Sequence, residues 1–72
     1  MQEFSVVQSY PELSIICDIQ VSDHFGHSYI VQYYNPIDVE IGQMVMIDDG
    51  WGQIINPLNG KVSNISSCTK IH

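Results

Sequence analysis

Asp23, His24 and His27 are the nearest this sequence comes to a ligand cluster. A His-x-x-His pair beside a carboxylate offers two neutral imidazoles and an anionic oxygen, a donor set that suits zinc or a similar ion. A site closed by protein ligands needs a fourth donor, which only Cys68, His72 or a distant carboxylate could supply. The same segment is rich in turn formers, so a solvated hairpin tip accounts for it without a metal. No cofactor is expected. Asp48-Asp49 invites an acid/base or calcium reading, but neighbours on a strand point to opposite faces and do not converge on one proton or one ion. Calcium loops with alternating carboxylates are also absent. Turn formation explains Asp49, and solvation explains Asp48. There is no Ser-His-Asp ordering and no glycine-rich phosphate loop. A chain of 72 residues leaves little room for the roughly 300 Å³ or more that small ligands usually occupy. The expectation is a protein that is not an enzyme.

The remaining chemistry is surface chemistry. Tyr10, Phe25, Tyr29, Tyr33, Tyr34 and Trp51 are many rings for one small core that must also take the Leu, Ile and Val residues. Aromatic residues and Met are enriched at protein contacts. Trp51 lies beside a turn, and Tyr34 opposes Val31 in parity. These two, with the neighbouring Asp48 and Asp49, are the expected partner-binding residues.

Charge narrows the partner. Two lysines and eight carboxylates give a formal charge of −6 and a pI near 4.4. A phosphate backbone is repelled by such a surface, so direct nucleic-acid binding is not expected, while a basic protein is attracted. Apolar residues make up 44% and charged residues 14% of the chain, which sets it apart from disordered sequences. No run approaches the ~20 apolar residues of a membrane helix, and the start MQEFSVVQSYPEL lacks a basic end followed by an apolar stretch. The reading is a soluble, cytoplasmic protein with no membrane partner. Cys17 and Cys68, 51 positions apart, form neither a C-x-x-C pair nor a disulfide framework, and Cys17 reads as a buried reduced thiol. Asn64-Ile65-Ser66 matches a glycosylation acceptor, which carries little weight without a signal peptide.

The elements that must position these residues are strands. Glu3 to Gln8 is a short candidate, an edge strand stopped by Pro11. Leu13, Ile15, Cys17, Ile19 and Val21 alternate with polar residues over one long run. The polar segment Ser22 to Ser28 joins it to Tyr29–Tyr34, in which Tyr29, Val31 and Tyr33 face one way and Ile30, Gln32 and Tyr34 the other. After Asn35-Pro36, the alternation of Ile37, Val39 and Ile41 with Asp38 and Glu40 forms an extended lead-in. Gln43–Asp48 and Trp51–Asn56 flank a two-residue Asp49-Gly50 loop, and Lys61–Ile65 follows the turn Asn56 to Gly60, making a three-strand meander. Met44 and Met46 oppose Val45 and Ile47, so that strand is apolar on both faces. The tail from Ser66 closes the sheet or frays. No segment shows a helical period and the chain has no alanine. The fold class is therefore all-β: a single domain, residues 1–72, folded as a small antiparallel barrel of five to six strands, with a sandwich as the other way to close it.

The order Ile41-Gly42, Val45, Ile47, Asp48-Asp49-Gly50-Trp51, Ile54, Asn59-Gly60-Lys61, Val62 resembles the middle of an SH3-like barrel. The resemblance covers about a third of the chain and implies a glycine turn, an acidic loop ending in tryptophan and an Asn-Gly hairpin. It implies Trp51 as a contact residue. The Ala-Leu-Tyr-Asp-Tyr strand and Pro-x-x-Tyr segment of the polyproline-binding members are missing, so proline-motif recognition is not implied. Pro57-x-x-Gly60-x-Val62 is similar to the end of a biotinyl or lipoyl domain, but no lysine precedes Lys61 to be modified. The functional expectation is a protein-protein interaction module, a regulator or inhibitor that docks on a basic partner through an acidic, aromatic surface. The alternative is a structural subunit, for example of a phage particle, in which the two-faced strands are covered by copies of itself as a homo-oligomer.

Overall fold

A computed structural model describes residues 1–10, 16–34 and 37–71. Among them the regular elements are six strands: β1 (Gln2–Tyr10), β2 (Ile16–Ser22), β3 (Ser28–Tyr34), β4 (Met44–Ile47), β5 (Gln53–Asn56) and β6 (Lys61–Lys70). They close into an antiparallel barrel in the order β1-β2-β3-β6-β5-β4, with β4 returning to β1. The all-β expectation holds, and closure as a barrel replaces the sandwich alternative. Two three-strand meanders, β1-β2-β3 and β4-β5-β6, are joined by a crossover over residues 37–43. No helix among the described residues is long and apolar enough to cross a membrane.

Period-2 patterning selects the inside. Phe4 and Val6 of β1, Cys17, Ile19 and Val21 of β2, Val31 and Tyr33 of β3, Val45 and Ile47 of β4 and Ile54 of β5 are buried, and Ile37 of the crossover fills the remaining end. Each fully buried aliphatic side chain contributes on the order of 1.5–3 kcal/mol relative to its exposed state. Parity predicted the inward face of β2 and grouped Val31 with Tyr33 and Val45 with Ile47, because a strand has only two faces; it made no assignment for Phe4, Val6 or Ile54.

The two longest strands each serve two partners. β1 pairs with β4 through Gln2–Ser5 and with β2 through Ser5–Tyr10, with a register shift between Val6 and Gln8. β6 pairs with β5 through Lys61–Asn64 and with β3 through Ile65–Lys70, with a shift opposite Gln32 and Tyr33. A bulge bends its strand and increases the local twist, which lets a single strand leave one partner and join the next as the sheet curls.

Several boundaries differ from expectation. β1 runs to Tyr10 and is an interior strand of the barrel, not an edge, because closure supplies a neighbour on both sides. The tail does not fray: it continues β6 and pairs with β3. β2 begins at Ile16, and the expected Leu13 and Ile15 positions lie outside the described residues. In the crossover Ile37 is buried and Val39 packs against the core, but Ile41 is 63% exposed, so the lead-in does not keep its parity. Asp38 is left-handed there (φ 53°) and turns the chain out of its alternation.

A buried amide holds the crossover down. Asn56 is 1% exposed. Its Nδ2 donates to the carbonyls of Ile37 at 2.8 Å and Asp38 at 3.1 Å, while its Oδ1 accepts from Gln43 Nε2 at 2.9 Å and from the Leu58 amide at 3.0 Å. Asn59 Nδ2 adds a second donor to Ile37 O at 3.1 Å, and Lys61 pairs with Asp38 on the surface at 2.6 Å. Ser63, also buried, offers the opposite case: its hydroxyl has no hydrogen-bond partner.

These two buried polar side chains predict opposite outcomes. Asn56→Ala strands several partners at once and should cost about 2–4 kcal/mol, whereas Ser63→Ala removes an unsatisfied group and should change stability by less than about 1 kcal/mol, in either direction. Urea unfolding midpoints of the two variants check this directly. Equal losses would contradict the assigned role of Asn56.

Candidate functional site

The loop expected as a two-residue Asp49-Gly50 hairpin is longer. The Trp51 amide donates to Asp48 O at 3.0 Å and the Asp48 amide to Gln53 O at 3.2 Å, so the connection spans residues 48–52. The left-handed position falls on Trp51 (φ 58°), not on a glycine. Such a conformation costs a non-glycine residue about 1–3 kcal/mol. The indole offsets it by packing on Phe4 at 5.3 Å and Tyr29 at 5.0 Å between ring centres, and Phe4 meets Tyr29 edge-on at 5.7 Å. Ring pairs of this kind contribute about 0.5–1.5 kcal/mol each beyond the burial itself. Trp51 is thus a half-buried plug of the barrel end before it is a contact residue.

The roles of the two aspartates are the reverse of those expected. Asp48 Oδ1 accepts the Gly52 amide at 2.7 Å and its carbonyl closes the turn, so Asp48 forms the loop and Asp49 is the solvated one. A Cβ on Gly52 would approach Asp48 Oδ2 to 3.3 Å, a tight contact with the carboxylate that closes the loop. Tyr34 is 39% exposed and faces outward, whereas Trp51 turns inward, so the two do not share a face.

At the β2–β3 connection the structure separates the ligand-like cluster. His24 points outward, with Nε2 3.9 Å from Glu3 and its side chain 69% exposed. Phe25 is 79% exposed beside it. Asp23 turns the other way, with its side chain only 3% exposed. Its carboxylate accepts the amides of Phe25 and His27, both at 2.9 Å, lies 3.2 Å from His27 Nδ1, and accepts the Tyr29 hydroxyl at 3.3 Å. Burial works to raise the Asp23 pKa, but the two backbone amides, the His27 charge and the Tyr29 hydroxyl together hold it below the ordinary value of 3.8. Burial, and then the Asp23 charge, push the Tyr29 hydroxyl up. Among the described residues no group of three His, Cys, Asp or Glu side chains is placed to hold a metal ion. Neither cysteine is in a disulfide, Cys17 is buried as expected, and burial pushes the Cys68 thiol up to about 11, so it stays protonated at neutral pH.

The outer wall has two different chemistries. Across β2, β3 and the second half of β6 it is predominantly polar, with Ile30 and Tyr34 set among polar neighbours: Gln32 donates to Asp18 Oδ2 at 3.5 Å and accepts from Ser67 Oγ at 2.8 Å. Across the second meander it is apolar. Met46 lies opposite Ile55, and Ile55 opposite Val62, with Glu3 of β1 on the far side of Met46. Met44 and Val62 are 44% and 49% exposed. Tyr33 lies opposite Ile65 of β6, and the exposed Tyr34 lies opposite Ile16 of β2. Sequence parity set Met44 and Met46 on the face opposite Val45 and Ile47 without saying which face is outward; burial of Val45 and Ile47 decides that, and only the strand pairing lines Met46 up with Ile55 and Val62.

Two measurements probe this geometry. Trp51→Ala keeps the left-handed penalty that Trp51→Gly relieves, so the alanine variant should be less stable than the glycine one by about 1 kcal/mol, with both below wild type. The Asp23 carboxylate, with its pKa depressed on folding, contributes stability that is complete above its unfolded value and is lost as pH falls through the folded one. The urea midpoint of wild type should therefore drop more steeply below about pH 3.9 than that of Asp23→Asn. Parallel curves would remove Asp23 from that role.

Comparison with family models, curated proteins and solved structures returned no match.

Proposed function

We propose that this chain is a non-enzymatic protein-protein interaction module that docks on a basic partner through the outer face of its second meander. The observation that carries the reading is the row Met46, Ile55 and Val62, with Met44 beside it, on a barrel whose opposite wall is predominantly polar. The rim is acidic: Glu3, Glu40 and Asp49 are exposed, and the nearest cation, Lys61, is already paired with Asp38. Charge at the rim sets encounter rate and partner choice, and the apolar centre sets residence time. Tyr34, exposed at the end of β3, is a further contact residue on this reading, and Asp48 and Asp49 bound the face beyond Ile47. A standard interface covers roughly 800 Å² per partner, about a fifth of the 4289 Å² that this barrel exposes. A contact of that size takes the whole outer face of the meander together with its rim.

The kinship to SH3-like barrels belongs to this reading. It rests on the β4-β5-β6 meander, its Trp51 corner and the Asn59-Gly60 turn. The first meander has no counterpart in the residues that carry the resemblance, and the further reading as a regulator or inhibitor rests on the proposed docking face alone.

A second reading, self-assembly as a structural subunit, is favoured by the same two-faced β4. Copies carrying −6 each repel one another, which makes a basic partner the better fit. The test uses capture from the source cell with wild type and with Met46→Asp. A genuine partner is basic, is retained by wild type, and loses about 2 kcal/mol of affinity, roughly thirty-fold, with the variant. Its association slows as salt rises. The unfolding midpoint of Met46→Asp should fall only modestly, because the side chain faces outward but lies opposite Glu3 and Ile55, and the variant stays folded at the temperature of the capture. Equal retention by both proteins sinks the docking face, and a dimer in sedimentation equilibrium that Met46→Asp dissociates transfers the face to self-assembly.

A further inference from the structure

The Asn59-Gly60 turn carries chemistry of its own. In an Asn-Gly pair the glycine amide nitrogen, with no side chain beside it, can reach the asparagine side-chain carbonyl. The Gly60 amide gives up its proton to solvent base, and its nitrogen forms a bond to Asn59 Cγ. The Cγ–Nδ2 bond breaks and ammonia leaves with a proton. One water then opens the cyclic imide at either carbonyl, giving aspartate or isoaspartate. The sum is one amide and one water to one carboxylic acid and one ammonia, with no change of oxidation state.

In this fold the hydrogen bonds of the reacting groups oppose that course. The Gly60 amide donates to Asn56 O at 2.8 Å, so the proton that must leave is tied to a carbonyl. Asn59 Nδ2 donates to Ile37 O at 3.1 Å and Oδ1 accepts the Lys61 amide at 2.9 Å, which draw the side chain toward the crossover and forward along the chain. Gly60 itself is left-handed (φ 74°), and a Cβ there would meet nothing within 4 Å, so the glycine serves the turn and not close packing. The product does not fit the same place. A carboxylate at residue 59 would set an acceptor against Ile37 O and a second charge near Asp38, and isoaspartate would also lengthen the backbone.

We propose that Asn59 is a deamidation site gated by the fold: the Asn56 clamp keeps it unreactive while the crossover is seated, and conversion, once it occurs, leaves the crossover unseated. The reaction then runs through locally opened states, whose population the clamp controls.

The test follows isoaspartate and aspartate at residue 59 by peptide mass spectrometry in mildly alkaline buffer. Folded wild type should convert at least about tenfold more slowly than the same chain in denaturant. Gln43→Ala, which removes one bond to Asn56 and leaves the strands in place, should speed conversion in the folded protein. Equal rates for folded and denatured wild type, or an unchanged rate in Gln43→Ala, overturn the gating. Asn59→Asp, read by hydrogen exchange, should lose protection at the amides of Gly42 and Gln43, which bond to Val6 O and Glu40 O. Protection equal to wild type there overturns the second half of the proposal.

Discussion

The Asn56 amide is the interaction on which the arrangement of the two meanders depends. Hydrophobic burial alone would bring two three-strand sheets together, but it is non-directional and leaves the carbonyls of Ile37 and Asp38 in the crossover without partners. One side chain, fully buried, satisfies Ile37 O and Asp38 O and at the same time receives Gln43 and Leu58. In a low-dielectric interior such a network is worth having only when every member is satisfied, and here both ends of the amide are used. Ile37 is thereby seated in the core, and the crossover delivers β4 to β1 so that the barrel closes.

The opposite end is closed by rings instead of amides. Phe4, Tyr29 and Trp51 pack together, and the Tyr29 hydroxyl reaches the buried carboxylate of Asp23, which also collects the backbone amides of its own turn. This explains why Trp51 tolerates a left-handed backbone: the ring contacts it makes outweigh the conformational cost. The outer wall is where this barrel differs from one side to the other. Its polar half is hydrogen-bonded to itself, and its apolar half is not covered, which is why the proposed docking face sits on the second meander.

Much of the fold was legible from alternation. Cys17, Ile19, Val21, Val31, Tyr33, Val45 and Ile47 are inside because a strand allows a residue only two directions, and turn residues marked where the direction of the chain reversed. The candidate site was less legible. Asp48 and Asp49 exchanged roles because an Asp-Gly pair specifies a turn but not its length, and the length was decided by Trp51 finding Phe4 and Tyr29. Asp23 read as a solvated tip residue, since nothing local says that its carboxylate turns inward while its neighbour His24 turns out. Asn56 gave no signal at all: its principal partner, Ile37, is 19 positions away.

By itself, the sequence determined the class of structure, most of the strands with the inward face of β2, the two-faced character of β4 and the acidic charge, because each follows from composition or from a period of two. The tertiary structure alone decided that the tail closes the barrel, that the polar side chains of Asp23 and Asn56 lie inside, and that Met46, Ile55 and Val62 form one row. Those depend on which strand lies beside which. Pairing between strands distant in the chain is set by how the whole sheet curls and closes, a property that no local stretch of residues carries.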